Sequence, residues 1–279
     1  INLLLCHKNL IIGVEELMGY VASVLIGVSL GLIGSGGSIL TVPVLVYLFG
    51  VDAVAATAYS LFIVGLTALM GSAEYFRKRL VNIRTAVVFG VPSIIAVFLT
   101  RAFIVPAIPT EVFTVGNFLI TKSILLLLLF AVLMIFSAYS MIKPSAERKD
   151  EMAAEQKFNY PLILLEGTIV GIITGLVGAG GGFLIIPALV ILSKLPMKEA
   201  IGTSLVIIAA KSLIGFFGES SETIIDWLII GKVTIFAAFG LIIGIYLSKK
   251  IDSNKLKPIF GWFVLAMGIY IILKETVIL

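Results

Sequence analysis

The sequence predicts an all-α, polytopic membrane protein. It is built from two repeats of inverted topology, each a glycine-broken helical hairpin followed by spanning helices. Three observations predict this class. Apolar stretches recur along all 279 residues, of which 60% are hydrophobic and 13% charged, with a mean hydropathy of +1.18; a soluble domain carries about a quarter charged residues. A glycine cluster occurs twice with the same internal spacing. The basic loops alternate between the two halves.

The apolar stretches of the first half run Val14–Ile33, Ile39–Phe49, Ala53–Ala73, Thr85–Val105 and Phe118–Ile142. Those of the second run Pro161–Val177, Phe183–Leu192, Ala200–Phe217, Trp227–Leu247 and Pro258–Leu273. A spanning helix needs about 20 apolar residues, so the stretches opening at Ile39 and Phe183 are too short to cross. Residues Ile1 to Ile12 read as a short amphipathic lead-in rather than the end of a signal segment. Between the halves, Lys143–Asn159 carries charges of both signs and no apolar run, and reads as a water-exposed linker. The chain thus divides into a first transmembrane repeat (1–142), a cytoplasmic linker (143–159) and a second transmembrane repeat (160–279).

The repeat rests on spacing. Gly31-Leu32-Ile33-Gly34-Ser35-Gly36-Gly37-Ser38, with Pro43, aligns with Gly175-Leu176-Val177-Gly178-Ala179-Gly180-Gly181-Gly182, with Pro187, at an offset of 175 − 31 = 144. The same offset pairs Ser60-Leu61 with Ser204-Leu205, and Gly71 with Gly215. Its orientation rests on charge. The loop holding Arg77, Lys78, Arg79 and Arg84 has an acidic counterpart in Glu219, Glu222 and Asp226. The next loop holds Arg101 and Glu111, against Lys249, Lys250, Lys255 and Lys257 in the second half. Basic loops stay cytoplasmic, so the halves lie in opposite orientation. Each half then crosses an odd number of times. Either all five segments cross, or the first two form a re-entrant hairpin and three cross.

Composition excludes several chemistries. With one cysteine (Cys6) and one histidine (His7), an internal disulfide cannot form, and metal or haem sites of the usual ligand count are not expected. No cofactor and no catalytic residue are expected, and the net charge of +4 is too small and dispersed for nucleic-acid binding.

Three groups of residues could hold a small anion. First come the clusters Gly34, Ser35, Gly36, Gly37, Ser38 and Gly178, Ala179, Gly180, Gly181, Gly182. They interrupt helices, and the helices that restart after them point N-termini, with partial positive charge, into the protein. Broken helices at matching places in two halves mark transporter sites; close packing through small residues is the plainer alternative. Second is Lys211, about eight residues before the polar end at Glu219, or ~12 Å along a helix, too deep to snorkel. It binds the anion, exchanges a proton, or pairs with a carboxylate such as Glu74 or Glu166. Third are the hydroxyls of Thr57, Tyr59, Ser60, Thr203 and Ser204, which bind substrate oxygens or their own helix backbone. Arg101 is expected to snorkel at an interface, and Trp227 and Trp262 to anchor there.

These residues resemble the TauE/SafE family of membrane permeases, described as sulfite exporters. The resemblance is carried by the two glycine clusters with Pro43 and Pro187, and by Ala55-Ala56-Thr57-Ala58-Tyr59-Ser60-Leu61 and Ala200-Ile201-Gly202-Thr203-Ser204-Leu205, over about Glu16 to Leu273. It implies export of sulfite, thiosulfate or organosulfur anions across the prokaryotic cytoplasmic membrane. Lys211 stands where the resemblance implies a small or polar residue, which marks a subgroup with its own anion. The leading expectation is a secondary transporter working by alternating access, with the lipid bilayer and a small anion as partners; homo-oligomerisation is left open. The alternatives are a membrane-embedded enzyme or maturation partner, and an anion channel.

Overall fold

A computed structural model describes residues 2–34, 37–115, 118–142, 160–191, 195–219, 225–248 and 253–278. The linker 143–159, Ser35 and Gly36 lie outside the described residues.

The first half contains α1 (Asn2–Ile33), α2 (Ser38–Tyr47), α3 (Ala53–Arg77) and α4 (Ile83–Leu99). The backbone continues from α4 through a π-helical turn, Thr100–Ile104, into the single turn α5 (Val105–Ala107). A hairpin of β1 (Glu111–Val115) and β2 (Phe118–Thr121) leads to α6 (Lys122–Ile142). The second half contains α7 (Tyr160–Val177), α8 (Gly182–Ile191), α9 (Met197–Phe217), α10 (Trp227–Leu247) and α11 (Ser253–Leu273), ending in a π-helical turn, Lys274–Ile278.

The helix starts follow from capping chemistry. Asp52 opens α3, its carboxylate accepting from the N–H groups of Val54 and Ala55 at 2.9 and 3.4 Å. Asn82 opens α4 by accepting from Thr85 N–H at 3.0 Å. Asp226 opens α10 by accepting from Leu228 and Ile229 at 2.9 and 3.2 Å. Each cap satisfies donors that a helix start leaves free. Pro106 supplies no N–H to the carbonyl one turn back, and the turn before it is π-helical, with Val105 N–H bonding Thr100 O.

Five described helices are long and apolar enough to cross a membrane: α3, α4 through α5, the Lys122–Tyr139 part of α6, the Lys198–Phe217 part of α9, and α10. The outward face of α4 carries Ile83, Val87, Val91, Ile95 and Phe98, all exposed. That of α10 carries Leu228, Ile235, Phe239 and Ile242. Stripes of this size mark faces covered by lipid or by another protein surface. Polar side chains are turned inward instead: Thr57, Ser60, Thr67, Thr203, Ser204, Lys211 and Ser212 are all buried.

The helices pair across the halves. Helix α1 packs along α10 and α4 along α7, α3 lies against α9, and α6 against α11. The α1–α10 seam is glycine-lined: a Cβ on Gly27 or Gly31 would overlap the α10 carbonyls of Ala237 or Leu241. On the other side, Gly240 and Gly244 meet the carbonyls of Val24 and Val28. This is close backbone approach through residues four apart.

Two expectations are corrected. The apolar run from Phe118 does not begin as a helix; Phe118–Thr121 pairs with Glu111–Val115 as an antiparallel hairpin, and α6 starts at Lys122. Arg101 does not snorkel: it is completely buried in the π-helical turn and ion-paired with Glu219 at 2.9 Å. The lead-in, finally, is continuous with the first helix, which extends back to Asn2.

Candidate functional site

Helix α1 stops at Ile33 and α2 begins at Ser38, while α7 stops at Val177 and α8 begins at Gly182. Four of the intervening glycines adopt positive φ, +80° at Gly34, +71° at Gly178, +63° at Gly180 and +69° at Gly181, whereas Gly37 is helical at −64°. Side chains rarely tolerate that region, so glycine is what lets the chain turn there. Each break abuts the central helix of the other half. A Cβ on Gly34 would strike Ile201 of α9, and one on Gly178 would strike Thr57 of α3. These targets are themselves 201 − 57 = 144 residues apart.

The second break is the more polar of the two. Lys211, fully buried, donates from Nζ to Thr174 Oγ1 at 3.0 Å. A Cβ on Gly181 would sit 2.7 Å from that Nζ and overlap the Thr174 methyl, so the ammonium lies directly on the glycine backbone. A Cβ on Gly180 would sit 3.4 Å from the hydroxyl of Ser212. That hydroxyl is buried and has no hydrogen-bond partner among the described residues. Helix α8 starts one residue beyond Gly181 and brings its N-terminal partial charge to the same place. Among the described residues no carboxylate pairs with Lys211; Glu74 pairs instead with Lys78 at 3.0 Å.

The other candidate residues are distributed around this point. Ser38 is buried as the first residue of α2, and Ala179 and Gly182 are buried at the second break. Gly37 is held against the backbone of Ile26 and Leu30 in α1. Thr57 bonds back to Val54 O and Ser204 to Ile201 O, while the buried Ser60 hydroxyl has no partner among the described residues. Tyr59 and Thr203 do something else. The Tyr59 phenol accepts from the backbone N–H of Asp226 at 2.7 Å, and the Thr203 hydroxyl accepts from the backbone N–H of Asn82 at 2.9 Å. Both the acceptors (203 − 59) and the donors (226 − 82) are 144 residues apart. Each half therefore holds the start of a helix belonging to the other.

Tyr59 also borders a cleft of about 560 Å³ at one end of the bundle, lined among others by Asp52, Val105, Lys122, Glu219 and Asp226. Behind its wall, Arg101 is 0% and the Glu219 side chain 5% exposed. Their bond joins the first half to the second, and Arg101 Nε and Nη2 have no other partner among the described residues.

Sequence reasoning missed Thr174, Ser212 and the Arg101–Glu219 pair. The first two had a local signal: Thr174 immediately precedes the second cluster at Gly175, and Ser212 follows Lys211. The pair spans 118 residues and had none.

The family described as Sulfite exporter TauE/SafE matches residues 20–271. A probable membrane transporter protein of Xylella fastidiosa is 31% identical over 258 residues, covering 90% of this chain and 92% of its own. The probable membrane transporter protein YunE of Bacillus subtilis is 26% identical over 274 residues, covering 91% and 98%. The probable membrane transporter protein MJ0441 of Methanocaldococcus jannaschii is 36% identical over 118 residues, covering 39% and 43%. No solved structure matches the chain.

Proposed function

Because the chain belongs to the sulfite exporter TauE/SafE family, we propose that this multi-pass membrane protein is a secondary transporter. It exports a small sulfur-containing anion (sulfite, thiosulfate or an organosulfonate) across the prokaryotic cytoplasmic membrane by alternating access. The observation that carries the reading is the buried Lys211 ammonium lying on the second glycine break without a carboxylate partner among the described residues. A buried cation at that depth is costly unless a ligand completes it. The substrate site comprises the two breaks, Gly34 to Ser38 and Gly178 to Gly182, with Lys211 and the hydroxyls of Thr57, Ser60 and Ser204. Thr174 and Ser212 join them. Tyr59 and Thr203 act from the two ends of the bundle.

The halves, 1–142 and 160–279, are inverted repeats joined by a cytoplasmic linker, and the short helices α2 and α8 return each chain from mid-membrane to the side it entered. Four facts support this. Helix boundaries recur at offset 144: Ile33 and Val177, Ser38 and Gly182, Ala53 and Met197, Ile83 and Trp227. The pairing of α1 with α10 becomes that of α7 with α4 when the halves are exchanged. The bonds from Asp226 to Tyr59 and from Asn82 to Thr203 exchange in the same way. Finally, α2 and α8, at 10 residues each, are half the length a span requires. In alternating access one half rocks against the other around the site, so the Arg101–Glu219 bond, which joins the halves at the cleft, opens and closes with the cycle.

Reconstituted protein in liposomes tests the reading through flux of sulfite and thiosulfate, with sulfate and chloride alongside. Saturable flux of a sulfur anion, weakened by Ser38→Ala or Lys211→Ala, is expected. Flux that scales with driving force and never saturates would make the protein a channel. No anion flux from folded protein would favour an enzyme or maturation partner.

A further inference from the structure

The charges inside the bundle set a limit on what it carries. Among the described residues, three charged ones are buried: Arg101, Lys211 and Glu275. Arg101 is neutralised by Glu219. Glu275, at the far end of α11, accepts from Tyr47 Oη at 2.9 Å, and the Lys274 ammonium sits 4.1 Å above that same tyrosine ring. Lys211, like Glu275, is met by a neutral hydroxyl, that of Thr174, but it stands inside α9 at the second break rather than at the end of α11. Among the described residues the other polar groups at the second break are neutral: the backbone of Gly180 and Gly181, the start of α8, and the unpartnered hydroxyl of Ser212.

We propose that the site selects singly charged anions and that Lys211 is the residue that sets this selection. The proposal rests on the transporter reading above and narrows it. One ammonium cancels one negative charge, so a monoanion closed in the bundle leaves the interior neutral. A dianion leaves one charge unbalanced in a medium that solvates it poorly, and hydrogen bonds from hydroxyls and helix ends are too weak to offset that cost. Hydrogensulfite and organosulfonates of the form R–SO₃⁻ then pass, whereas sulfate and thiosulfate are refused on charge although their sulfur–oxygen geometry is similar. Ser212 supplies a hydrogen bond to the oxyanion, and Thr174, which accepts from Lys211, positions the ammonium.

The test is a flux comparison in proteoliposomes between methanesulfonate, with one charge, and sulfate, with two, beside sulfite as the reference substrate. The parent protein is expected to move methanesulfonate faster than sulfate by at least about tenfold at equal concentration, given what an unbalanced charge costs in a membrane interior. Lys211→Arg keeps that ratio, and Lys211→Gln, which leaves a monoanion as unbalanced as a dianion is in the parent, lowers methanesulfonate flux by at least about tenfold. Thermal unfolding in detergent establishes that each variant is folded; if Lys211→Gln does not fold, the parent ratio and Lys211→Arg still decide. Sulfate moving as fast as methanesulfonate in the parent, with sulfite flux saturable, overturns the charge rule and leaves the transporter reading standing. Methanesulfonate flux unchanged in folded Lys211→Gln removes Lys211 as the balancing charge. Absence of flux for all three anions from folded protein overturns the transporter reading, and this inference with it.

Discussion

Replacing Glu219 by glutamine removes the charge that balances Arg101 while keeping the side chain's shape. The two groups meet at 2.9 Å with side-chain exposures of 0% and 5%. At that separation and an effective dielectric of about 20, the Coulomb attraction is about 6 kcal/mol. Desolvation opposes it, and breaking a buried pair by removing one partner costs about 3–5 kcal/mol. Arg101 Nε and Nη2 have no other described partner to fall back on. Glu219→Gln should therefore lower the thermal unfolding midpoint of the detergent-solubilised protein by roughly 10 °C, read from tryptophan fluorescence. The informative comparison is a double-variant cycle. Arg101→Leu combined with Glu219→Leu should be more stable than the sum of the single losses implies, because neither residue leaves an unpaired charge behind, with a coupling of about 2 kcal/mol or more. Strictly additive losses, or a Glu219→Gln protein that melts with the parent, would refute the claim that this bond holds the halves together.

Two further perturbations follow from the site geometry. Gly181→Ala places a methyl against Thr174 and the Lys211 ammonium at a φ of +69°; with strain of about 1–3 kcal/mol added to the overlap, anion flux should fall well below that of the parent in protein that still inserts, and unaltered flux would place the site elsewhere. Thr203→Val leaves the Asn82 N–H without its acceptor at a cost of about 1–3 kcal/mol, and Tyr59→Phe does the same to Asp226 at the other end; hydrogen exchange should report faster opening at the start of α4 in the first and of α10 in the second, each without effect on the other.

Much of this architecture was legible because glycine and proline keep their spacing while apolar residues interchange freely. The offset of 144 found in Gly31–Pro43 and Gly175–Pro187 recurs in helix boundaries far from either cluster, including Ala53 with Met197 and Ile83 with Trp227. Lys211 was legible too, since a lone charge deep in an apolar helix stands out. The hairpin at Phe118 was not, because Phe118-Leu119-Ile120 is apolar enough to read as the start of the helix that follows, and a short apolar run does not distinguish strand from helix. Arg101 was misread for a different reason: its position near the end of an apolar stretch suggests water, and only the long-range approach of Glu219 makes burial tolerable. Thr174 was passed over because threonine in a helix ordinarily bonds its own backbone, and it does so here as well, to Gly171 O at 3.3 Å, while also accepting from Lys211.

The crossed caps bear on how such a chain is made. Helix α4 begins at Asn82, but the hydroxyl that accepts its first N–H lies 121 residues later, in α9. Tyr59 in turn waits for Asp226, 167 residues ahead. While the ribosome is still making the linker, the first half holds a helix start whose acceptor has yet to be made. Neither half can complete its own helix starts. Final locking is therefore a late event of synthesis, set by arrival of α9 and α10 rather than by the order in which the first helices enter the membrane.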